Sequence, residues 1–135
     1  MTENIAVDLF AQLSQILTGA SHLDPDLAVA YLGRLRAEYP SQVADTLTAF
    51  AAIVQDEHIL FEVKRRIVED RVLGPLAQQI IAIWYTSEFV GGDGKPKTGT
   101  QAQFNSGLLW QVVRAHAPAN SKLNYGDWKN PPSKG

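Results

Sequence analysis

Apolar residues recur every three or four positions through most of this 135-residue chain, in runs cut by proline and glycine. That period gives a helix one apolar face and denies a strand its alternation. The first run, residues 6–18, sets Leu9, Leu13, Ile16 and Leu17 on one face, with Gly19 placed to end it. The second opens with Asp24 as a cap and Pro25 in the first turn, where the missing N–H is not needed. Its stripe is Leu27, Tyr31, Leu32 and Leu35, up to about Glu38. After Pro40, Ser41 can cap a third helix with Ala44, Leu47, Phe50, Ala51 and Val54 inward. A fourth is expected over residues 56–73, burying Ile59, Phe61, Val63 and Ile67, and broken by Gly74-Pro75.

The fifth run, residues 76–86, is apolar nearly all round (Ile80, Ile81, Ile83, Trp84), which marks it as the central helix. Residues 88–100 carry Gly91, Gly92, Gly94, Pro96 and Gly99 and are expected to be a loop without regular structure. A sixth helix over 101–115 would turn Phe104, Leu108, Leu109 and Val112 inward. Beyond His116, Pro118, Gly126, Pro131 and Pro132 favour an extended arm. No strand pair and no solenoid repeat is legible. The expectation is an all-α fold: a compact bundle of about five or six helices, with a glycine-rich loop and an extended C-terminal arm. Residues 1–117 would form the bundle domain and residues 118–135 the arm.

The net charge of −2 argues against a nucleic-acid binder. Its distribution is uneven: −6 over residues 1–88 and +4 over residues 89–135. A basic arm of this kind can lie on an acidic partner or fold back on its own acidic body. The chain has no cysteine, which removes disulfides and thiolate chemistry. The longest apolar stretch, around Ile80–Tyr85, is far shorter than the roughly 20 residues of a membrane span. The start, Met1-Thr2-Glu3-Asn4, lacks the basic and apolar regions of an export peptide.

Catalytic patterns are weak. His22, His58 and His116 have no spacing that puts two metal ligands on one helix face, so no metal site is expected. Gly91-Gly92-Asp93-Gly94-Lys95 suggests a phosphate loop but fails in detail: Pro96 stands where Ser or Thr is needed, and the segment follows a helix. A turn-rich loop presenting backbone to a protein partner suits it better. Most carboxylates fall at helix starts or beside arginines; only Glu88 and Asp93 lie near aromatic, glycine-rich sequence. No nucleophile elbow and no dinucleotide fingerprint is present, so neither catalytic nor cofactor-binding residues are expected. Aromatic residues gather late, from Trp84 to Trp128, as protein interfaces use them.

The order of these features resembles a known family, the small subunit of bacterial membrane-bound, FAD-containing sorbitol, fructose and glucose dehydrogenases. The matching stretches are Phe10 to Gly19, Leu23 to Ala28, and Ile83 to Ser87 leading into Gly91 to Gly94. Phe104 to Trp110 and Tyr125 to Trp128 with Pro131-Pro132 complete the pattern. The resemblance implies a non-catalytic subunit that binds, stabilises and helps mature a large FAD-binding dehydrogenase subunit of the glucose–methanol–choline type. FAD would sit in that partner, and a multihaem cytochrome c subunit often takes the electrons onward. Members commonly begin with a twin-arginine export signal, absent here. The location implied is periplasmic, membrane-associated through the complex, for a mature form, and cytoplasmic for the chain as it stands. The expected contact residues are Trp84, Tyr85, Phe89, Asp93, Lys95, Lys97, Trp110, Tyr125 and Trp128. Two rivals remain: an independent helical interaction module acting as a homo-oligomer, and an enzyme using Glu88 and Asp93.

Overall fold

Helix α1 (Glu3–Thr18) starts at Thr2, whose hydroxyl accepts the Ile5 N–H at 3.3 Å. It stops at Gly19, which takes a left-handed conformation (φ 75°) and returns its N–H to the Gln15 carbonyl. These elements belong to a computed structural model that describes residues 2–109. Helix α2 (Pro25–Glu38) is capped as its sequence predicts: one oxygen of Asp24 accepts the Asp26 and Leu27 N–H groups at 2.8 and 3.4 Å.

Helix α3 (Pro40–Ile53) departs from the expected start. Tyr39 occupies the cap position with no side-chain cap bond, and Ser41 lies inside the first turn. Its buried face is Val43, Thr46, Leu47, Phe50 and Ile53; Ala44 and Ala51 are exposed. A methyl group carries too little apolar area to set a helix's rotation against Val, Leu, Ile and Phe.

The expected long fourth helix is shorter and changes pitch. Helix α4 (Ile59–Val63) runs into one π-helical turn, Lys64–Val68, in which the Glu69 N–H reaches back to the Lys64 carbonyl. Val63 and Ile67 are buried, but Phe61 points outward at 61% exposure, against expectation. The chain then turns on Asp70, whose Oδ2 accepts the Val72 and Leu73 N–H groups, both at 2.9 Å.

Helix α5 (Leu73–Thr86) therefore begins before Gly74-Pro75. Proline is tolerated because the first-turn N–H groups have no intrahelical acceptor. Gly74 is required for a different reason: a Cβ there would sit 2.6 Å from the Val68 carbonyl oxygen. Helix α5 packs against α1, α2, α3, the π turn and the next strand, which makes it the centre of the bundle, as its composition predicts.

The glycine-rich segment is not a loop throughout. Strands β1 (Phe89–Val90) and β2 (Pro96–Lys97) pair antiparallel, with Phe89 opposite Lys97 and Val90 opposite Pro96. The glycines supply the turn between them: Gly94 adopts φ 80°, and its N–H bonds the Gly91 carbonyl. Helix α6 (Gln101–Asn105) is capped by Thr100 and interrupted at Ser106-Gly107; helical conformation resumes at Leu108 and Leu109, and residues 110–115 of the expected helix lie outside the described residues. Gly107 explains the break, since a Cβ would collide with the Tyr85 carbonyl oxygen. Leu108 is buried, whereas Phe104 and Leu109 are partly exposed (37% and 41%). Val112 and the expected arm, 118–135, lie outside the described residues. Among the described residues the fold is all-α with one small hairpin.

Two glycine substitutions separate close packing from helix propensity. Gly74→Ala should cost about 1–3 kcal/mol, because neither the Val68 backbone nor the helix start can yield freely. Gly33→Ala, in mid-α2 where a Cβ meets nothing within 4 Å, should gain up to about 1 kcal/mol. Urea denaturation of the two variants beside the parent measures both signs.

Candidate partner-binding site

The C-terminal half of α2 grips the hairpin through one side chain per turn. Arg34 donates from Nη2 to the Lys97 carbonyl and from Nη1 to Gln103 Oε1, each at 3.1 Å. The same guanidinium lies 5.4 Å from the centre of the Phe89 ring and 5.9 Å from that of Tyr31. One cation thus joins α2, both strands and α6. Burial lowers the pKa of Arg34, and the neighbouring Tyr31 opposes that shift. Gly99 leaves the room for this junction: a Cβ there would meet Gln103 Oε1 and approach Arg34 Nη1 to 2.9 Å.

One turn later, Glu38 Oε1 accepts the Gly92 N–H at 3.1 Å, and its Oε2 lies 3.8 Å from Lys97 Nζ. Lys97 also donates to Asp93 Oδ2 at 3.1 Å, while Asp93 Oδ1 takes the Lys95 N–H at 3.0 Å. The Lys95 amide and then the Lys97 ammonium hold the Asp93 carboxyl below its ordinary pKa; Asp93 raises that of Lys97 in turn. The absence of a side chain at Gly91 lets the Glu38 carboxylate and the Lys97 chain lie where a Cβ would stand.

The outer strand is tied as well. Tyr39 donates its hydroxyl to the Val90 carbonyl at 2.6 Å, and Gln79 Oε1 accepts the Val90 N–H at 2.7 Å. Burial, then the charges of Glu38 and Asp93, push the Tyr39 phenol pKa up, so it keeps the proton it donates. With both polar backbone groups of Val90 taken, this edge is blunted against adding another strand. The phosphate-loop reading meets a physical obstacle: Glu38 and Asp93 already take the Gly92 and Lys95 N–H donors.

The expected contact residues lie at different depths. Trp84 and Phe89 are core residues, 2% and 3% exposed; Trp84 packs against Phe10 and edge-on against Tyr31. Both side chains are buried in the core. Tyr85 is half-buried, its hydroxyl 3.4 Å from the Thr18 carbonyl. Asp93 and Lys95 are exposed at the hairpin tip, and Lys97 is half-buried as the clamp. Trp110, Tyr125 and Trp128 lie outside the described residues. Beside the tip, an open groove of about 470 Å³ runs between α5 and the hairpin, lined by Gln78, Gln79, Thr86, Glu88, Val90 and Pro96.

Arg34, Glu38, Tyr39, Gln79 and Gln103 were not legible as site residues. Arg34 and Glu38 stand four apart on one face of α2, which is visible in the sequence, but their partners lie more than fifty positions away. Among the described residues no cluster of His, Asp or Glu could hold a metal ion, and no helix is long and apolar enough to cross a membrane.

The family model described as "Membrane bound FAD containing D-sorbitol dehydrogenase" matches residues 1–132. The chain belongs to that family. Comparison with curated proteins and with solved structures finds no match.

The junction at Arg34 predicts a local and a global effect. Arg34→Ala should lower stability by about 1–3 kcal/mol, the range for lost hydrogen bonds to a charged group. It should also speed exchange of the Gly91 amide, while the helical circular-dichroism spectrum stays. Arg34→Lys should restore little, since an ammonium cannot make the two-pronged contact. The acid-side pH dependence follows from Asp93. Its native pKa lies below the unfolded one, so its contribution is present above the ordinary value of 3.8 and is lost as pH falls through the depressed native value. Lys97 acts oppositely, losing its contribution as pH rises above 10.5. Lys95 amide exchange, corrected for intrinsic rates, should be flat between these limits and rise beyond both.

Proposed function

We propose, from membership of that family, that the chain is the non-catalytic small subunit of an FAD-dependent sugar or polyol dehydrogenase. Its work is to bind and stabilise the large FAD-containing subunit, of the glucose–methanol–choline type, and to help it mature. FAD belongs to that partner in this reading. A multihaem cytochrome c is a further member of the complex, and the assembly is periplasmic and membrane-associated. The observation that carries the reading is the match over residues 1–132 of a chain whose glycine-rich segment is braced as a fixed projection.

A braced projection suits binding. Loops that must be ordered on association lose free energy to that ordering, whereas a hairpin already held by Arg34, Glu38, Tyr39 and Gln79 does not. The proposed contact comprises Asp93 and Lys95 at the tip and Val90 and Pro96 beside the groove. Tyr85, Trp110, Tyr125 and Trp128 join it, Phe89 and Lys97 hold the hairpin, and Trp84 contributes as a buried core residue. A standard interface buries about 800 Å² per partner. Binding only the folded flavoprotein stabilises it by about 4 kcal/mol at a concentration a thousandfold above the dissociation constant.

Co-expression with the flavoprotein encoded in the same host tests this. The pair should co-purify with a flavin absorption spectrum, and the flavoprotein should melt at lower temperature without this chain. Asp93→Ala with Lys95→Ala should weaken the complex at least about tenfold, a loss of roughly 1.4 kcal/mol, without changing the helical spectrum. A homo-oligomer of this chain that ignores the flavoprotein would contradict the proposal.

A further inference from the structure

The turn between β1 and β2 sets the chain's one Asp-Gly pair, Asp93-Gly94, at an exposed tip. An aspartyl carboxyl and the next backbone nitrogen can close into a cyclic imide. Glycine in the second position favours closure, since it brings no side chain and the widest choice of backbone angles. Gly94 holds φ 80°, and nothing lies within 4 Å of where its Cβ would stand. The Asp93 side chain is 48% exposed, so water reaches it. Yet both reacting groups are engaged in the fold. The Gly94 N–H donates to the Gly91 carbonyl at 2.9 Å. Asp93 Oδ1 accepts the Lys95 N–H at 3.0 Å, a bond that curls the side chain along its own backbone. Its Oδ2 accepts from Lys97 Nζ at 3.1 Å, and Arg34 fixes the Lys97 carbonyl.

We propose that Asp93-Gly94 is a site of spontaneous backbone isomerisation, which the Gly91 carbonyl, the Lys95 amide and the Lys97 ammonium hold off in the folded chain. The step needs no reactant but water. The Gly94 nitrogen attacks Cγ of the protonated Asp93 carboxyl. A C–N bond forms, a C–O bond breaks, and the hydroxyl leaves with the amide proton as water. Water then opens the imide. Attack at Cγ restores aspartate; attack at the main-chain carbonyl carbon leaves an isoaspartate, its backbone running through the side-chain methylene. Each contact opposes one requirement. The Gly91 carbonyl engages the proton that the nitrogen must lose. The Lys95 amide and Lys97 fix both carboxyl oxygens and favour the ionised form, which has no hydroxyl to lose. Reaction therefore waits on local opening of the hairpin. Isoaspartate adds one main-chain atom to the turn that joins Phe89–Val90 to Pro96–Lys97 and moves the carboxylate onto Cα, so the product should loosen the hairpin. This chemistry belongs to the free chain and does not depend on the docking reading.

Peptide mapping by mass spectrometry with electron-transfer fragmentation measures isoaspartate at residue 93 in the full chain, incubated warm at neutral pH below its melting point. The folded chain should accumulate it at least about tenfold more slowly than the same chain unfolded in urea, because reaction waits on opening. Lys97→Met should raise the folded rate at least about fivefold, the loss expected for one hydrogen bond to a charged group. Lys97→Arg, which keeps the cation, should stay close to the parent. Lys95→Met should leave the rate unchanged, since only the Lys95 backbone holds Asp93. The helical circular-dichroism spectrum checks that each variant is folded, and the comparison with urea needs no variant. The proposal is overturned by a folded rate equal to that in urea, by a Lys97→Met rate no higher than the parent's, or by an equal rise in Lys95→Met.

Discussion

Helix α5 has almost no polar side to offer solvent, and the other elements are arranged to cover it. Of its residues only Pro75 and Gln78 are exposed; Leu73, Leu76, Ala77, Ile80, Ile83 and Trp84 are buried. A helix apolar on nearly every side is stable only when wrapped. Helices α1, α2 and α3 supply most of the wrapping, the π turn covers the beginning and strand β1 the end. The aromatic centre follows from this demand. Trp84 needs partners on both sides of a large ring and finds Phe10 and Tyr31 there.

The end of α5 also decides where the hairpin lies. The helix stops on Ser87, a buried residue in the left-handed conformation (φ 64°), which turns the chain sharply back. A serine held there is uncommon and carries backbone strain, tolerated where surrounding contacts fix it. The chain emerges beside the end of α2, within reach of Arg34, Glu38 and Tyr39, and these fix the hairpin. Core packing thus positions a projection that polar contacts then lock. The proposed docking surface derives its rigidity from the same helix that organises the core.

The sequence carried the helices well where local chemistry decides them. Gly19, Asp24 and Pro25 announce their own roles, and α5 declares its central place by composition. It misled where long-range contacts decide. Alanines in α3 look like core residues by spacing, yet the rotation is set by Val43 and Ile53. Gly74-Pro75 looks like a stop, yet Asp70 turns the chain, by accepting the Val72 and Leu73 N–H groups, into a helix that starts ahead of it. Five glycines and prolines within residues 91–99 look like a loop, yet they build a turn between two short strands. The site was legible only in outline. Asp93, Lys95 and Lys97 come from a segment the sequence singles out. Arg34 and Glu38, which hold it, read as ordinary surface charges on a helix, because nothing local reveals partners so far along the chain. Trp84 and Phe89 drew notice as aromatics, and their part is to pack.

In the proposed complex the hairpin end of the bundle faces the flavoprotein. Amide hydrogen exchange of the chain, alone and in complex with that subunit, measures this residue by residue. Protection gained across residues 88–100, with the α3 and α4 faces unchanged, is the predicted footprint. Protection confined to α3 and α4, with the hairpin exchanging as in the free chain, would contradict it.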